Sequence, residues 1–348
     1  MSLNHDALIQ QLETLVNIPS PSGFTAQALE YIQTSLEKLS LPTQKTNKGA
    51  IITKIEGKDR SKARLLTAHV DTLGAMVKEV KSDGRLKLTK IGGFNWNAVE
   101  GEYCQIHTRE GKTFTGTILM HETSVHVYRN AGELPRDDTH IEVRLDEKSR
   151  NEKETSALGI HAGDFVSFAP RFEYTQSGFI KSRHLDDKAS VALIFALIET
   201  IQKSGEMPPH TLYFYFSNNE EIGFGGNSSI PEETIEYLAV DMGAIGDGQT
   251  TDEYSVSICA KDSSGPYHYE LTNHLINLAK ERNIPHQVDI YPFYGSDASA
   301  AISAGFDIRH ALIGPGIESS HALERTHLDS MIATFNLLLT YSYSPMID

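Results

Sequence analysis

Residues 211–226 read TLYFYFSNNEEIGFGG. After the threonine comes an uncharged run of apolar and aromatic residues, the pattern of a strand covered on both faces rather than wetted on one. Such strands belong to largely parallel sheets with helices packed on each side. Where the run stops, Glu220 and Glu221 stand side by side, followed by the glycine-rich IGFGG. Neighbouring carboxylates raise each other's proton affinity, so the pair calls for something positive close by.

Outward from this strand toward the C-terminus, helical and apolar segments alternate. Helix is expected over 188–203, then after TLYFYF a strand YLAVDM, a helix over 266–282, a strand HQVDIY, a helix over 297–304, a strand IRHALI and a last helix from about 327. Toward the N-terminus, helices over about 4–17 and 25–39 flank the turn PSPSGF and lead into the strands GAIITKIEG and RLLTAHV. Between these two parts the character changes. MVKEVKSDGRLKLTKIGG, EYCQIHTREGKTFTGTIL and IEVRLD are short alternating stretches broken by Gly, Asn and Asp turns, the mark of a small antiparallel β-structure. The fold class expected is therefore α/β, a mostly parallel mixed sheet flanked by helices, built from residues 1–71 and 178–348, with residues 72–177 as an inserted β-rich domain. The charged segment DEKSRNEKETSALG, 146–159, is expected to be a solvated loop.

Composition narrows the function. The 348 residues exceed what one hydrophobic core usually organises, in keeping with a domain plus an insertion. A net charge of −15 argues against nucleic acid and anionic membrane as partners, since both demand a basic surface. No run approaches the length of a membrane-spanning helix, and the N-terminus has helical periodicity in place of a secretory signal. The two cysteines, Cys104 and Cys259, form neither a disulfide framework nor a thiolate cluster, which fits a reducing, cytoplasmic setting.

Chemistry-bearing residues gather at the ends of the apolar runs. RLLTAHVDT delivers His69 and Asp71, SRHLDDKAS delivers Asp186 and Asp187, YLAVDMG delivers Asp241, and GIESSHALE delivers His321 and Glu324. Ligands of open α/β sheets bind beyond the carboxyl ends of the strands. Imidazole and carboxylate together are the ligand set of zinc, cobalt or manganese, with no cysteine required. Any one of these residues has an ordinary structural explanation, a loop histidine or an aspartate capping a helix. Their recurrence at separate strand ends is what points to a metal centre. In His69-x-Asp71 the aspartate is the natural orienter of a ligating imidazole. In LDDK one aspartate is placed to bridge two cations while the other caps the following helix. One of the paired glutamates would hold a cation and its neighbour would serve as general base.

The order AHVDTLGAMV, HLDDKAS, SNNEEIGFGG, AVDMGA and SSHALE resembles the cytoplasmic dinuclear metalloaminopeptidases that include glutamyl and deblocking aminopeptidases, metallopeptidase family 42, many of which assemble as tetrahedral (TET) dodecamers. PSPSGF, IGG and GSDASA extend the resemblance over almost the whole chain. It implies a zinc-peptidase-like fold with a small β-barrel inserted for dimerisation and substrate access. It further implies two divalent ions, zinc or cobalt with manganese as a third option, held by His69 and Asp241 on one side, by Glu221 and His321 on the other, and bridged by Asp186. Glu220 would be the general base and Asp71 the orienter of His69. Asp297 of GSDASA is expected near the substrate, with helix capping as an equal alternative. The bridging motif of relatives more often reads ALDNR or ALDDR where this chain has His184 and Lys188, and His321 fits the last ligand better than His327 because Glu324 follows at the family's spacing. His107, His121, His126, His161 and His268 are expected on the surface or in packing, with His121 or His126 within reach of a neighbouring subunit's site.

The implied activity is removal of N-terminal residues from peptides by a metal-activated water, in a cytoplasmic homo-oligomer of dimers or a dodecamer. Rival readings are a related dinuclear hydrolase (dipeptidase, carboxypeptidase or deacylase) and a silent peptide-binding particle. A glucanase activity, a label some relatives carry, would need an isolated carboxyl pair without a metal cluster.

Overall fold

The computed structural model describes residues 3–347. Two amphipathic helices, α1 (His5–Val16) and α2 (Ala26–Lys38), bury Leu8, Leu12 and Leu15 and then Leu29, Ile32 and Leu36, the spacing that puts one apolar stripe on the core. Asn4 caps α1 by accepting the Ala7 N–H at 3.2 Å. After them come β1 (Gln44–Lys45), β2 (Ile51–Ile55) and β3 (Asp59–His69). The chain then leaves the layer to build a closed barrel from β4 (Gly74–Val80), β5 (Leu86–Ile91), β6 (Tyr103–His107), β7 (Thr113–Met120), β8 (Ile141–Leu145) and β9 (Phe165–Phe168). Its interior is filled by Val77, Leu88, Ile106, Ile118, Val143 and Val166, the inward half of the alternation.

Within the barrel segment, α3 (Glu152–Ala157) takes the middle of the expected solvated loop 146–159, which is otherwise irregular and mostly exposed. Asn151 initiates it by accepting the Glu154 N–H at 2.9 Å, a cap hidden in a run that composition alone marks as charged and unstructured.

The chain returns through β10 (Glu173–Tyr174) and β11 (Phe179–Ser182) to α4 (Leu185–Ser204). Asp186 and Asp187 have non-helical backbone angles, so the regular turns start at Lys188, as the apolar pattern predicts. Then follow β12 (His210–Ser217), β13 (Thr234–Val240), β14 (Gly243–Ala244), β15 (Val256–Lys261), α5 (Tyr269–Glu281), β16 (His286–Ile290), α6 (Asp297–Ser303), β17 (Arg309–Ile317), β18 (Glu324–His327) and α7 (Leu328–Tyr343). The main sheet has the order β1-β2-β12-β3-β13-β17-β15-β16, with β14 beside β17. β12, β3, β13 and β17 run parallel; β2 against β12 and β15 against β17 are antiparallel. The fold is thus a mostly parallel mixed sheet between helices, with an antiparallel barrel. β15, the residues VSICAK, is a strand the sequence reading passed over, because its polar and apolar residues mix over only a few positions.

Every residue of β12 from Thr211 to Ser217 is buried, and the helices α1, α2, α4, α5 and α7 cover one face of the sheet. Arg64 on β3 and Glu236 on β13 are fully buried and paired, Nε to Oε2 at 2.7 Å. The guanidinium also donates to the carbonyls of Tyr341, Ser344 and Pro345, while Glu236 accepts from the Tyr341 hydroxyl and the Ile347 N–H. This satisfied network ties the segment Tyr341–Ile347 to the centre of the sheet. Replacing Glu236 by Leu strands the guanidinium, so the variant should lose about 3–5 kcal/mol in chemical denaturation, and adding Arg64→Leu should recover part of that loss. A Glu236→Leu variant as stable as the parent would remove the network from the account.

Candidate metal centre and active site

Strand order does most of the positioning. β3 lies between β12 and β13, and Ser217 pairs with His69 at the ends of β12 and β3. His69 therefore stands between the turn that carries Glu220 and Glu221 and the strand end that carries Asp241. Gly314 on β17 packs so closely on the Asp241 carbonyl that any Cβ would overlap it, which seats β17 and its following loop, with His321, beside the same edge.

The side chains meet around Asp186. Its Oδ1 lies 3.1 Å from His69 Nε2 and its Oδ2 3.3 Å from His321 Nε2. Glu221 Oε2 is 3.6 Å from His321 Nε2, and Glu220 Oε2 is 3.7 Å from His69 Nε2. Donor atoms of His69, Asp186 and Glu221, and separately of His69, Asp187 and Asp241, all lie within 4.8 Å of one another. The structure thus brings together every metal-ligand candidate named from the sequence. It adds Asp187, whose Oδ2 accepts the His69 N–H at 3.0 Å instead of capping α4.

A second set of contacts holds these groups. His69 Nδ1 meets the main-chain carbonyl of Asp71 at 2.9 Å, closer than the 3.5 Å to its carboxylate. The carboxylate itself accepts the N–H groups of Glu220 at 3.2 Å and Glu221 at 3.3 Å and the hydroxyl of Ser22 at 2.5 Å. Asp71 therefore orients the imidazole through its backbone and the glutamate turn through its side chain. Glu324 does the same on the far side, accepting the N–H of Asp186 and of His321, each at 3.0 Å. His321 sits at a φ of 62°, a left-handed conformation costly for a side-chain-bearing residue, and its Nδ1 bonds the carbonyl of Gly93. His327, the alternative ligand, instead caps α7 by accepting the Asp329 N–H at 3.0 Å.

Ser22 and Gly93 escaped the sequence reading because neither carries a distinctive charge, although both fall in motifs that it singled out, PSPSGF and IGG. Asp297 Oδ2 accepts from Thr67 at 2.9 Å and Ser217 at 2.5 Å behind Glu220. Gly225 is required there, since a Cβ would come within 2.1 Å of Asp297 Oδ1. His121 points to Glu142 in the barrel at 3.1 Å, in a cluster already neutralised by Lys81 and Arg85. Both cysteines are buried and free, and burial pushes each thiol up to about 12, so neither is a nucleophile.

The electrostatics call for cations. Burial, with neighbouring carboxylates adding to it, pushes Glu221 up to about 8 and Asp241 up to about 7, and raises Glu220 and Asp187 strongly. Burial opposes charge on His321, but Asp186 and Glu221 outweigh it and lift the imidazole to about 10. Protons are held where opposite charge is short. The buried Oδ1 of Asp187 has no hydrogen-bond partner among the described residues. Carboxylates and imidazoles at these separations fit hard or borderline divalent ions.

The centre opens into a cavity of about 740 Å³ lined by Glu220, Asp241, Met242, Ile245, Phe293 and Asp297, among others. That size accommodates a peptide end. Among the described residues no helix is long and apolar enough to cross a membrane.

Comparison with known proteins places the chain in a family. The chain is 60% identical over 339 residues to YhfE of Bacillus subtilis (strain 168), a protein with a provisional aminopeptidase name, covering 97% of this chain and 98% of that one. It is 26% identical over 223 residues to the glutamyl aminopeptidase of Lactococcus lactis subsp. cremoris (strain MG1363), covering 63% of this chain and 61% of that one. A TET aminopeptidase from the marine sediment archaeon Thaumarchaeota archaeon SCGC AB-539-E09 has the same fold at a TM-score of 0.87 and 19% identity, over 97% of this chain and 96% of that one. The TET1 peptidase of Pyrococcus horikoshii matches at 0.85 and 21% identity, over 97% and 100%. With the family model of the M42 glutamyl aminopeptidases matching residues 49–337, the chain belongs to that family of peptide hydrolases.

Proposed function

We propose that this protein is a metal-dependent aminopeptidase that removes N-terminal residues from peptides, with His69 and Asp241 holding one divalent ion, Glu221 and His321 a second, and Asp186 both. The observation that carries the reading is the carboxylate of Asp186 set between the two imidazoles, at 3.1 and 3.3 Å, with Glu220 beside them. Zinc or cobalt suits the donor set, manganese less so. Such ions, when bound, lower the pKa of a coordinated water and polarise the scissile carbonyl.

The remaining chemistry belongs to the chain's own residues. Glu220, which is not needed as a ligand, faces the cavity and takes a proton from the attacking water and returns it to the leaving amine. Asp71 keeps His69 and the glutamate turn in register. Acidic groups at the cavity floor receive the peptide's ammonium, with Asp297 behind them. Residues 1–71 and 178–348 form the catalytic domain in this reading, and the barrel of 72–177 serves dimerisation and substrate access.

Relatives named glutamyl aminopeptidase in Lactococcus lactis and lysyl aminopeptidase in Pyrococcus furiosus support the reaction class while differing in side-chain preference. A homo-oligomer, a dimer or a dodecamer, is supported by the Pyrococcus horikoshii TET1 peptidase, described as assembling into a tetrahedron or an octahedral shell. A cytoplasmic location fits the free buried cysteines.

Glu220→Gln should keep metal content near that of the parent while lowering kcat by about 10²–10⁴ on free-amine peptides, with N-blocked peptides as the comparison. Retained turnover in that variant removes the base assignment. Asp186→Ala should lose metal as well as rate, read by elemental analysis; a variant still binding two ions contradicts the bridging role. Asp71→Ala should weaken metal binding or activity by about 10- to 100-fold, the usual cost of losing an orienting partner, and a parent-like metal titration with parent-like rate would dismiss it.

A further inference from the structure

Resting on the aminopeptidase reading, we infer that the cavity selects peptides whose N-terminal side chain is cationic, lysine or arginine, and rejects those beginning with glutamate or aspartate, with Asp247 as the specificity-determining carboxylate. Divalent ions at the centre would satisfy Asp186, Glu221 and Asp241. The other anionic side chains on the cavity wall are Glu220, Asp247 and Asp297, and among the described residues no lysine or arginine lines it. Lys48 does not line it either; its ammonium donates to the Phe224 carbonyl at 2.6 Å and to Asn227.

Beyond the ions, an acidic N-terminal side chain would therefore face like charges on a wall with no lysine or arginine to pair with it, and such juxtaposition of like charges disfavours the wrong partner. A basic residue meets the opposite situation. Met242, Ile245, Pro292 and Phe293 line the same cavity and can cover the methylene stem, as apolar walls do for lysine and arginine elsewhere. Asp247 is exposed in the loop Gly246–Asp247–Gly248 and forms no ion pair with any described residue, so its carboxylate is free to receive the charged head. The chain's net charge of −15 adds a long-range field of the same sign, attracting cationic peptides and repelling acidic ones.

The test uses the full-length, metal-reconstituted protein with Lys-, Arg-, Leu-, Ala-, Glu- and Asp-p-nitroanilide. Lysyl and arginyl substrates should exceed glutamyl and aspartyl ones by about tenfold or more in kcat/KM, and the Lys-to-Leu ratio should fall as salt is raised. Asp247→Asn should lower that ratio about three- to tenfold, chiefly through KM, and Asp247→Lys should lower it further and narrow the gap to glutamate. A readout free of turnover is calorimetric binding of lysinamide against glutamic acid 1-amide to the metal-loaded Glu220→Gln protein, where lysinamide should bind more tightly. Glutamyl substrates cleaved as well as lysyl ones, or glutamic acid 1-amide binding as tightly as lysinamide, overturn the charge inference and leave the aminopeptidase reading standing. An Asp247→Lys variant with an unchanged Lys-to-Leu ratio overturns the role of Asp247. Cleavage of N-acyl peptides with none of the free-amine substrates turned over overturns both readings.

Discussion

The carboxylate of Asp186 between His69 and His321 is the contact on which the site depends. Its two oxygens reach imidazoles delivered by the end of β3 and by the loop after β17, at 3.1 and 3.3 Å, and no local stretch of chain could make that bridge. Around it the molecule concentrates negative charge that ordinary folding would disperse. Burial alone would keep several of these carboxyls protonated, so the centre is built at a cost in stability that divalent ions, in the proposed reading, would relieve.

Holding like charges together requires donors, and the fold supplies them from the backbone. The N–H groups of Glu220 and Glu221 turn back to the Asp71 carboxylate, those of Asp186 and His321 to Glu324, and that of His69 to Asp187. Each supporting carboxylate thus fixes the main chain of residues whose side chains point at the centre. Precision in the site comes from this outer layer as much as from the inner one. The barrel joins in through the Gly93 carbonyl, which lies in the segment between β5 and β6 and meets His321. Through that contact the inserted β-structure helps set the orientation of His321, a proposed ligand.

The cavity beyond the centre is acidic and apolar by turns. Glycines at its wall serve close approach, as at Gly225 against Asp297, and leave room for a peptide end.

Much of this was legible in the chain. Uncharged runs such as TLYFYF mark strands covered on both faces, because a strand without a polar alternation has nowhere to be wetted, and histidine, aspartate and glutamate placed where such runs end mark the carboxyl edge of a parallel sheet. The charged segment at 146–159 and the strand β15 were misread or passed over, since a cap such as Asn151 and a short mixed strand differ little from loop in composition. The backbone role of Asp71, the second duty of Asp187, the reach of Gly93 and the basic-free wall of the cavity could not be read at all. By itself the sequence determined the residue types of the site and the class of fold, both of which follow from local pattern. Only the tertiary structure decided which of those residues meet and what surrounds them, because strand order and loop packing bring together groups that no spacing along the chain relates.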